Sequence, residues 1–354
     1  MKTIIFTGGG TAGHVMPNLA LMDRLDKNQW RIHYIGTEEG IEHELLSQRP
    51  EVTYHAIAWG KLRRYFSWKN FTDPFRVVKG YFQSRRIIRQ VKPDVLFSKG
   101  GYVSVPVVMA AKGRCPVLCH ESDYTPGLAN RIAARYADTI CTTFSDTVAR
   151  VPAGKGVHTG TPIRAALLQG SRERGLAFTG LSGEKPVLLV MGGSTGAKAL
   201  NEALEASLDA LLLTFDIVHL CGQGKLDDTA PRPGYVRYEY VNEQMPDVLA
   251  LSDVVLSRAG ANAVFELLAL KKPAVLVPLP LEASRGDQIL NAQYFEKNGY
   301  AVHLPQNEIT PERLKDAVLG LYKDRQRYID AMAAAPGADG TENILRLIFR
   351  AVNE

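Results

Sequence analysis

The chain has 354 residues, 45% of them hydrophobic and 22% charged, with a formal net charge of +5. That length suits two domains, each large enough to bury a core, in an ordinary globular composition. No apolar stretch approaches the roughly 18 residues that span a bilayer, and no signal-peptide segment precedes the first strand, so a cytoplasmic protein not integral to a membrane is expected. The four cysteines (Cys115, Cys119, Cys141, Cys221) lack paired metal-ligand spacing and read as small buried side chains in a reducing compartment.

In chain order, the first apolar run, near 3–7, leads into Gly8-Gly9-Gly10-Thr11-Ala12-Gly13-His14, where a helix begins. A glycine turn lets backbone N–H groups approach a phosphate closely, and the helix N-terminus adds partial positive charge. Gly8, Gly10 and Gly13 formally match the dinucleotide pattern GxGxxG, for which Glu38 or Glu39 is the candidate ribose-binding acid. His14 falls in the first helical turn, where the dipole disfavours a charged imidazole. A neutral histidine there suits a general base near pH 7, and equally suits capping its own turn.

Further apolar runs lie near 31–35, 52–57, 94–98, 115–119 and 138–143, alternating with helical patterns. Residues 61–92 hold ten basic side chains against one acid, Asp73, a local charge of +9 that leaves the rest of the chain slightly acidic. Asp73-Pro74 predicts a helix N-cap with a first-turn proline, and Lys92-Pro93 the helix end. At about 100° per residue, Val77, Tyr81, Ile87, Ile88 and Val91 form one apolar stripe. Phe75, Val78 and Phe82 form a second, flanked by Lys79, Arg85, Arg86 and Arg89. The first stripe can pack on the domain, while the second has the makeup of an interfacial helix on an anionic bilayer. Burial of both stripes is the bland alternative. Nucleic-acid binding is disfavoured, because the aromatics have helical spacing and form no stacking platform.

A boundary is expected near Gly160-Thr161-Pro162-Ile163-Arg164, after a short strand. It gives a first domain over 1–160 joined by the C-terminal helix at 341–354, and a second over 161–340. The second half has its own apolar runs near 186–191, 215–220, 234–238, 253–257, 274–278 and 300–304. The first of these leads into Gly192-Gly193-Ser194-Thr195-Gly196-Ala197, and the fourth into Ser257-Arg258-Ala259-Gly260. Glu266, on the helix after Gly260, can accept both hydroxyls of a ribose. In the polar loop that follows, Asp287, Gln288 and Asn291 are candidates for sugar hydroxyls. Strands that read as continuous apolar runs, joined by helices, indicate parallel sheets covered on both faces. Each half is therefore a doubly wound α/β domain of the Rossmann kind, with ligands at the carboxyl edge. No Asp-x-Asp and no histidine–carboxylate cluster with ligand spacing occurs. Helix N-termini, backbone amides and Arg164 or Arg258 are expected to neutralise a departing diphosphate.

Taken in order, several motifs form one set. They are Gly9-Gly10-Thr11-x-Gly13-His14, Gly100-Gly101-Tyr102-Val103-Ser104, His120-Glu121, Gly192-Gly193-Ser194-x-Gly196-Ala197, Arg258-x-Gly260 with Glu266, and Gln288-x-x-Asn291-Ala292. This set resembles the MurG family of peptidoglycan N-acetylglucosaminyltransferases over nearly the whole chain. The resemblance implies a GT-B fold, two Rossmann-like domains facing each other across a cleft. It implies inverting transfer of N-acetylglucosamine from UDP-N-acetylglucosamine to the C4 hydroxyl of the muramoyl sugar of lipid I (undecaprenyl-pyrophosphoryl-MurNAc-pentapeptide), giving lipid II for peptidoglycan synthesis. Carried over by position, His14 or Glu121 is the catalytic base. Thr11, Ala12 and Gly13 reach the transferred sugar or the acceptor diphosphate, Arg164 and Ser194 the donor's diphosphate region, and at Asp123 the family's asparagine contact to the donor is either replaced or lost. Val241 faces uracil through its backbone, the stretch Ala261, Asn262, Ala263, Val264, Phe265 and Glu266 holds ribose and phosphates, and Gln288 holds the sugar. Gly9, Gly10, Gly100, Gly101 and Tyr102 fall to the acceptor.

The resemblance further implies no metal or other cofactor, and a peripheral location on the anionic cytoplasmic face of the plasma membrane. Docking there falls to Phe75, Val78, Lys79, Phe82, Arg85, Arg86 and Arg89, with other cell-wall synthesis proteins as further partners. Two departures stand out. The family's His-Glu-Gln-Asn stretch reads His120-Glu121-Ser122-Asp123, and Ala12 stands where glycine is commoner. A sugar-nucleotide epimerase, a nicotinamide enzyme and a membrane-docked nucleotide-sugar sensor are the rival uses of the same architecture.

Overall fold

A computed structural model describes residues 1–60, 69–193, 197–226 and 232–353. The chain divides into two compact units, Met1–Arg164 with Asp339–Glu354, and Ala165–Ala338. The first unit holds seven parallel strands: β1 (Lys2–Thr7), β2 (Trp30–Gly36), β3 (Val52–Ala56), β4 (Val95–Ser98), β5 (Val117–Glu121), β6 (Thr139–Thr142) and β7 (Gly156–His158). Their order is β3-β2-β1-β4-β5-β6-β7. Helices α1 (Ala12–Met22), α2 (Ile41–Ser47), α3 (Lys69–Val91), α4 (Ser104–Ala111) and α5 (Leu128–Ala133) connect them. Strand order reverses between β1 and β4, which opens a crevice at the carboxyl ends of the central strands.

The continuous apolar character of β1 follows from burial on both faces. Ile4 and Phe6 point into one core and Ile5 into another, the period-two alternation of a strand. The apolar runs foreseen in this half become β1 to β6, within two residues at each start.

The second unit holds β8 (Val187–Met191), β9 (Asp216–Leu220), β10 (Tyr235–Tyr238), β11 (Val254–Ser257), β12 (Ala274–Leu276) and β13 (Ala301–His303). These too are parallel, in the order β10-β9-β8-β11-β12-β13, with the reversal between β8 and β11. Around them lie α6 (Arg172–Thr179), α7 (Lys198–Leu212), α8 (Met245–Leu251), α9 (Ala261–Ala269), α10 (Asp287–Lys297), α11 (Pro311–Lys323) and α12 (Arg325–Ala333). Leu200, Leu204, Leu208 and Leu211, at helical spacing on α7, fill the core over Leu188, Val190 and Leu256.

The last helix, α13 (Thr341–Asn353), belongs to the first unit. Ile344, Leu345 and Ile348 are buried against Ile4, Phe6 and Leu21, on the order of 2 kcal/mol of burial each before entropic costs. The Thr341 hydroxyl accepts from Ile163 N–H at 3.2 Å, and Thr161 bridges to Asp339, so two segments far apart in sequence are stitched together here.

One boundary differs from expectation. Helix α3 begins at Lys69, four residues before the expected Asp73 cap, and Pro74 lies inside it. Asp73 is buried, and a Cβ on Gly60 would come within 2.4 Å of the Asp73 carbonyl oxygen. A tertiary contact between backbones fixes this turn, at the cost of the one i→i−4 bond that proline cannot donate. Further along, Ile88 is buried and Tyr81, Ile87 and Val91 pack beside it on the core of Ile5, Ile35 and Leu96. Phe75 (78%), Val78 (53%) and Phe82 (61%) stay exposed to solvent. Burial of both stripes is thereby excluded. Cys119, Cys141 and Cys221 are buried, Cys115 is half-buried, and all four are free thiols.

Candidate active site

In the first unit, three strand ends converge at the reversal. The turn after β1 carries Gly9 and Gly10, and the turn after β4 carries Gly100, Gly101 and Tyr102. These turns touch backbone to backbone. Gly101 has φ +86°, and a Cβ there would lie 2.4 Å from the Gly9 carbonyl oxygen. Gly10 has φ +85°, and a Cβ there would meet the Tyr102 ring at 2.4 Å. Only glycine fits either place. Of the five residues foreseen as an acceptor group, Gly9, Gly10, Gly101 and Tyr102 are thus packed together, Gly100 is buried against Asn130, and the Trp59 ring lies 5.1 Å from that of Tyr102.

Thr11 caps α1 and Ala12, Gly13 and His14 form its first turn. The Thr11 hydroxyl and His14 Nδ1 lie 2.9 Å apart, so the hydroxyl sets the orientation of the imidazole.

Below this loop sits a carboxylate that sequence reading missed. Glu42 is wholly buried; its Oε2 accepts from Gly10 N–H at 3.1 Å, and its Oε1 from Thr37 N–H at 3.1 Å and the Thr37 hydroxyl at 2.6 Å. An acid in the first turn of a helix is ordinarily a solvated partner of the dipole. Nothing local marked Glu42 for burial 32 residues from its glycine partner, whereas the neighbouring Glu38 and Glu39 drew the notice.

The end of β5 supplies Glu121, buried, with both oxygens engaged. Oε1 accepts from Asp123 N–H at 2.9 Å; Oε2 accepts from Gly127 N–H at 3.0 Å and Asn130 Nδ2 at 2.9 Å. Burial and then the neighbouring Asp123 charge push this carboxyl up to about 7, against the pull of those three donors. Beside it the buried Lys99 ammonium donates to His120 Nδ1 at 2.7 Å and to Ser122 Oγ at 2.5 Å. Burial draws that ammonium down to about 7, although the Glu121 and Asp123 carboxylates favour its charge.

In the second unit, Gly192 and Gly193 follow β8, while Ser194 lies outside the described residues. Gly260 caps α9, and the space where its Cβ would sit is open to 4 Å. Val241, Ala261, Val264 and Phe265 are buried, whereas Asn262, Ala263 and Glu266 are half-buried on α9. Gln288 Oε1 accepts from Leu279 N–H at 3.1 Å, fixing the loop after β12.

Two expected ligand contacts also serve as scaffold. Arg258 is buried, its Nη1 donating to the carbonyls of Val277 at 3.1 Å and Pro278 at 3.2 Å. Asn291 is wholly buried and its Nδ2 donates to the Ala259 carbonyl at 3.0 Å. Arg258 thus ties the β11 turn to the β12 turn, and Asn291 ties α10 to the β11 turn. Arg164, half-buried, is the last residue of the first unit's main segment.

Among the described residues, no group of three or more His, Cys, Asp or Glu side chains is placed to hold a metal ion. Nor, among them, is any helix long and apolar enough to cross a membrane.

Two Rossmann-type units in one chain, each with glycine turns opening helices at the carboxyl ends of its central strands, make a GT-B fold. The chain belongs to glycosyltransferase family 28: residues 4–142 match that family's N-terminal domain and 187–347 its C-terminal domain. A relative from Geobacillus thermodenitrificans is 53% identical over 98% of each chain. It is named UDP-N-acetylglucosamine--N-acetylmuramyl-(pentapeptide) pyrophosphoryl-undecaprenol N-acetylglucosamine transferase. A relative of the same name from Clostridium botulinum is 51% identical over 98% of this chain and 99% of that one. The crystal structure of Acinetobacter baumannii MurG is similar with a TM-score of 0.77 at 28% identity, over 99% of this chain and 100% of that one.

Proposed function

We propose that this protein moves N-acetylglucosamine from UDP-N-acetylglucosamine to undecaprenyl-pyrophosphoryl-linked N-acetylmuramyl-pentapeptide, at the cytoplasmic face of the membrane. The observation that carries this reading is 53% identity, over 98% of each chain, with a relative named for that reaction. The glycine turns at the strand ends of both units support it.

The second unit takes the donor. Glu266 accepts the ribose hydroxyls, the backbone at Val241 faces uracil, and Gln288 meets the sugar. The diphosphate lies against the α9 N-terminus at Gly260 and the turn that begins at Gly192. The first unit takes the acceptor pyrophosphate at Gly9, Gly10, Gly100 and Gly101, with Thr11 to Gly13 beside the transferred sugar. The acceptor C4 oxygen attacks the anomeric carbon from the face opposite the leaving group, the bond from that carbon to the diphosphate oxygen breaks, and UDP departs with the electron pair. His14 takes the hydroxyl proton on Nε2, its Nδ1–H donating to Thr11 Oγ1 at the 2.9 Å contact. Glu121, with both oxygens already engaged, shapes the loop from Asp123 to Gly127 and leaves the base role to His14. Backbone amides and helix N-termini stabilise the departing charge, and no metal is called on.

The deciding experiment offers radiolabelled UDP-N-acetylglucosamine and a short-chain lipid I analogue, with and without chelator. Label transfer at the same rate in both supports the reaction and its metal independence. UDP-sugar binding without transfer marks a sensor, and epimerised donor without acceptor marks an epimerase. Glu266→Ala is expected to raise the donor KM about 10- to 100-fold, as the loss of hydrogen bonds to a charged group implies. A fall in kcat with donor affinity unchanged would remove Glu266 from the ribose.

A further inference from the structure

The geometry points to Lys99 as a positioning residue for the transfer: its buried ammonium holds the Ser122–Asp123 turn and supplies the counter-charge for that turn's carboxylates. This rests on the functional reading above for its kinetic consequence, though not for its structural one.

Lys99 follows β4 directly and is 1% exposed. A lysine so deep in a protein must be paired and fully hydrogen-bonded. His120, also wholly buried, provides one partner. Burial and the Lys99 charge hold its imidazole well below its ordinary pKa, so the ring is neutral. Nε2 lies 3.0 Å from the Gly160 carbonyl and must carry the proton to bond there. Nδ1 is therefore a lone pair, and it accepts from Lys99 Nζ at 2.7 Å. The hydroxyl of Ser122 is the second acceptor. His120 thus relays the position of Lys99 to the Gly160 backbone, and Ser122 relays it to the turn that follows β5.

The groups facing the ammonium are His120 and Glu121 from β5, Ser122 and Asp123 from the turn, and the Cys141 thiol from β6. Two of them are carboxylates two residues apart, one at the end of β5 and one in the turn after it, and the charge of Asp123 works against ionisation of Glu121. Glu121 anchors that turn through Asp123 N–H and Gly127 N–H. Repulsion between the two carboxylates, unopposed, would pull the anchor apart. Lys99 attracts both. An aspartate at position 123 is tolerable because the Lys99 ammonium is held at the adjacent Ser122, where its charge favours both carboxylates.

A double-mutant cycle on the full chain tests this pairing. In the native background, Lys99→Met is expected to lower kcat/KM by at least about tenfold and the thermal midpoint by several degrees, as loss of a buried charge partner implies. In the Asp123→Asn background the same change is expected to cost less than about threefold, with most of the midpoint shift gone. Equal costs in the two backgrounds, or no cost in either, overturn the proposal. Should Lys99→Met fail to fold in the native background, folding of the double variant supports the pairing and its failure overturns it. Ser122→Ala, which removes an acceptor without emptying the core, is expected to cost about fivefold in kcat/KM, and an unchanged variant also overturns the proposal. The midpoints need no transfer reaction. Wild-type protein that transfers no sugar would therefore refute the functional reading while the cycle still judged the ion pair.

Discussion

His14→Ala is expected to lower kcat by about 10²–10⁴-fold, the ordinary worth of a general base, while UDP-N-acetylglucosamine binds as tightly as before. The asymmetry follows from where the residue sits. His14 belongs to the first turn of α1, in the unit proposed to take the acceptor, and its imidazole is oriented by Thr11 at 2.9 Å. It makes none of the proposed donor contacts. Initial rates with the short-chain acceptor, paired with calorimetric titration of the donor, separate the two quantities. Turnover within a few-fold of wild type would take His14 out of the base role. Thr11→Ala should reproduce a fraction of the defect, because it frees the ring to rotate while leaving the base in place. The contrast with Glu121 sharpens the test. Glu121→Gln keeps the shape of the side chain but trades one acceptor oxygen for an amide that cannot accept from the N–H groups around it. Its loss should appear first as a lowered thermal midpoint and only secondarily in rate.

Much of this arrangement could be read from the chain before any coordinates, and the reasons are local. Strands such as Val187–Met191 are continuous apolar runs because helices cover both faces, and a glycine turn at a strand end announces itself in three or four residues. The pattern behind Gly9-Gly10 and Gly100-Gly101 was visible for the same reason. What stayed hidden depends on contacts distant in sequence. Glu42 and Lys99 look like ordinary solvated charges, and only the fold places one under Gly10 and the other against His120. Arg258 and Asn291 show the converse. Polar side chains beside a glycine turn read as ligand contacts, yet Arg258 Nη1 and Asn291 Nδ2 bond the backbone of a neighbouring element, a scaffold role that local sequence does not announce. The start of α3 misled because Asp-Pro is a strong capping signal, overridden here by the approach of Gly60 to Asp73.

The second large effect concerns the outer face of α3. Replacing Phe75, Val78 and Phe82 together by serine is expected to weaken binding to anionic vesicles by at least about 10³-fold, since each of the three apolar side chains is worth roughly 1.5–3 kcal/mol when buried. All three are exposed, on a helix whose opposite face is anchored by Ile88 in the core, so the substitutions remove no core packing, only the edge contact of Phe82 with the Tyr81 ring, and should leave the thermal midpoint nearly in place. Phe82, Arg85, Arg86, Arg89 and Gln90 line a shared depression of about 460 Å³, which sets an aromatic ring among three guanidinium groups. At about 1 kcal/mol per basic residue near a negative surface, Lys79, Arg85, Arg86 and Arg89 together supply a comparable, salt-sensitive share. Binding of the wild-type protein should therefore fall as salt is raised or as the vesicles are made neutral, and the serine variant should retain only that electrostatic part. Transfer to a water-soluble, short-chain acceptor should be unchanged in the variant, while transfer to an acceptor embedded in vesicles should drop with binding. A variant that still partitions like wild type would assign this exposed stripe to some other surface. A variant impaired equally on both acceptors would show that α3 acts on the chemistry through the fold, because only a docking surface distinguishes a substrate held in a bilayer from the same headgroup free in water.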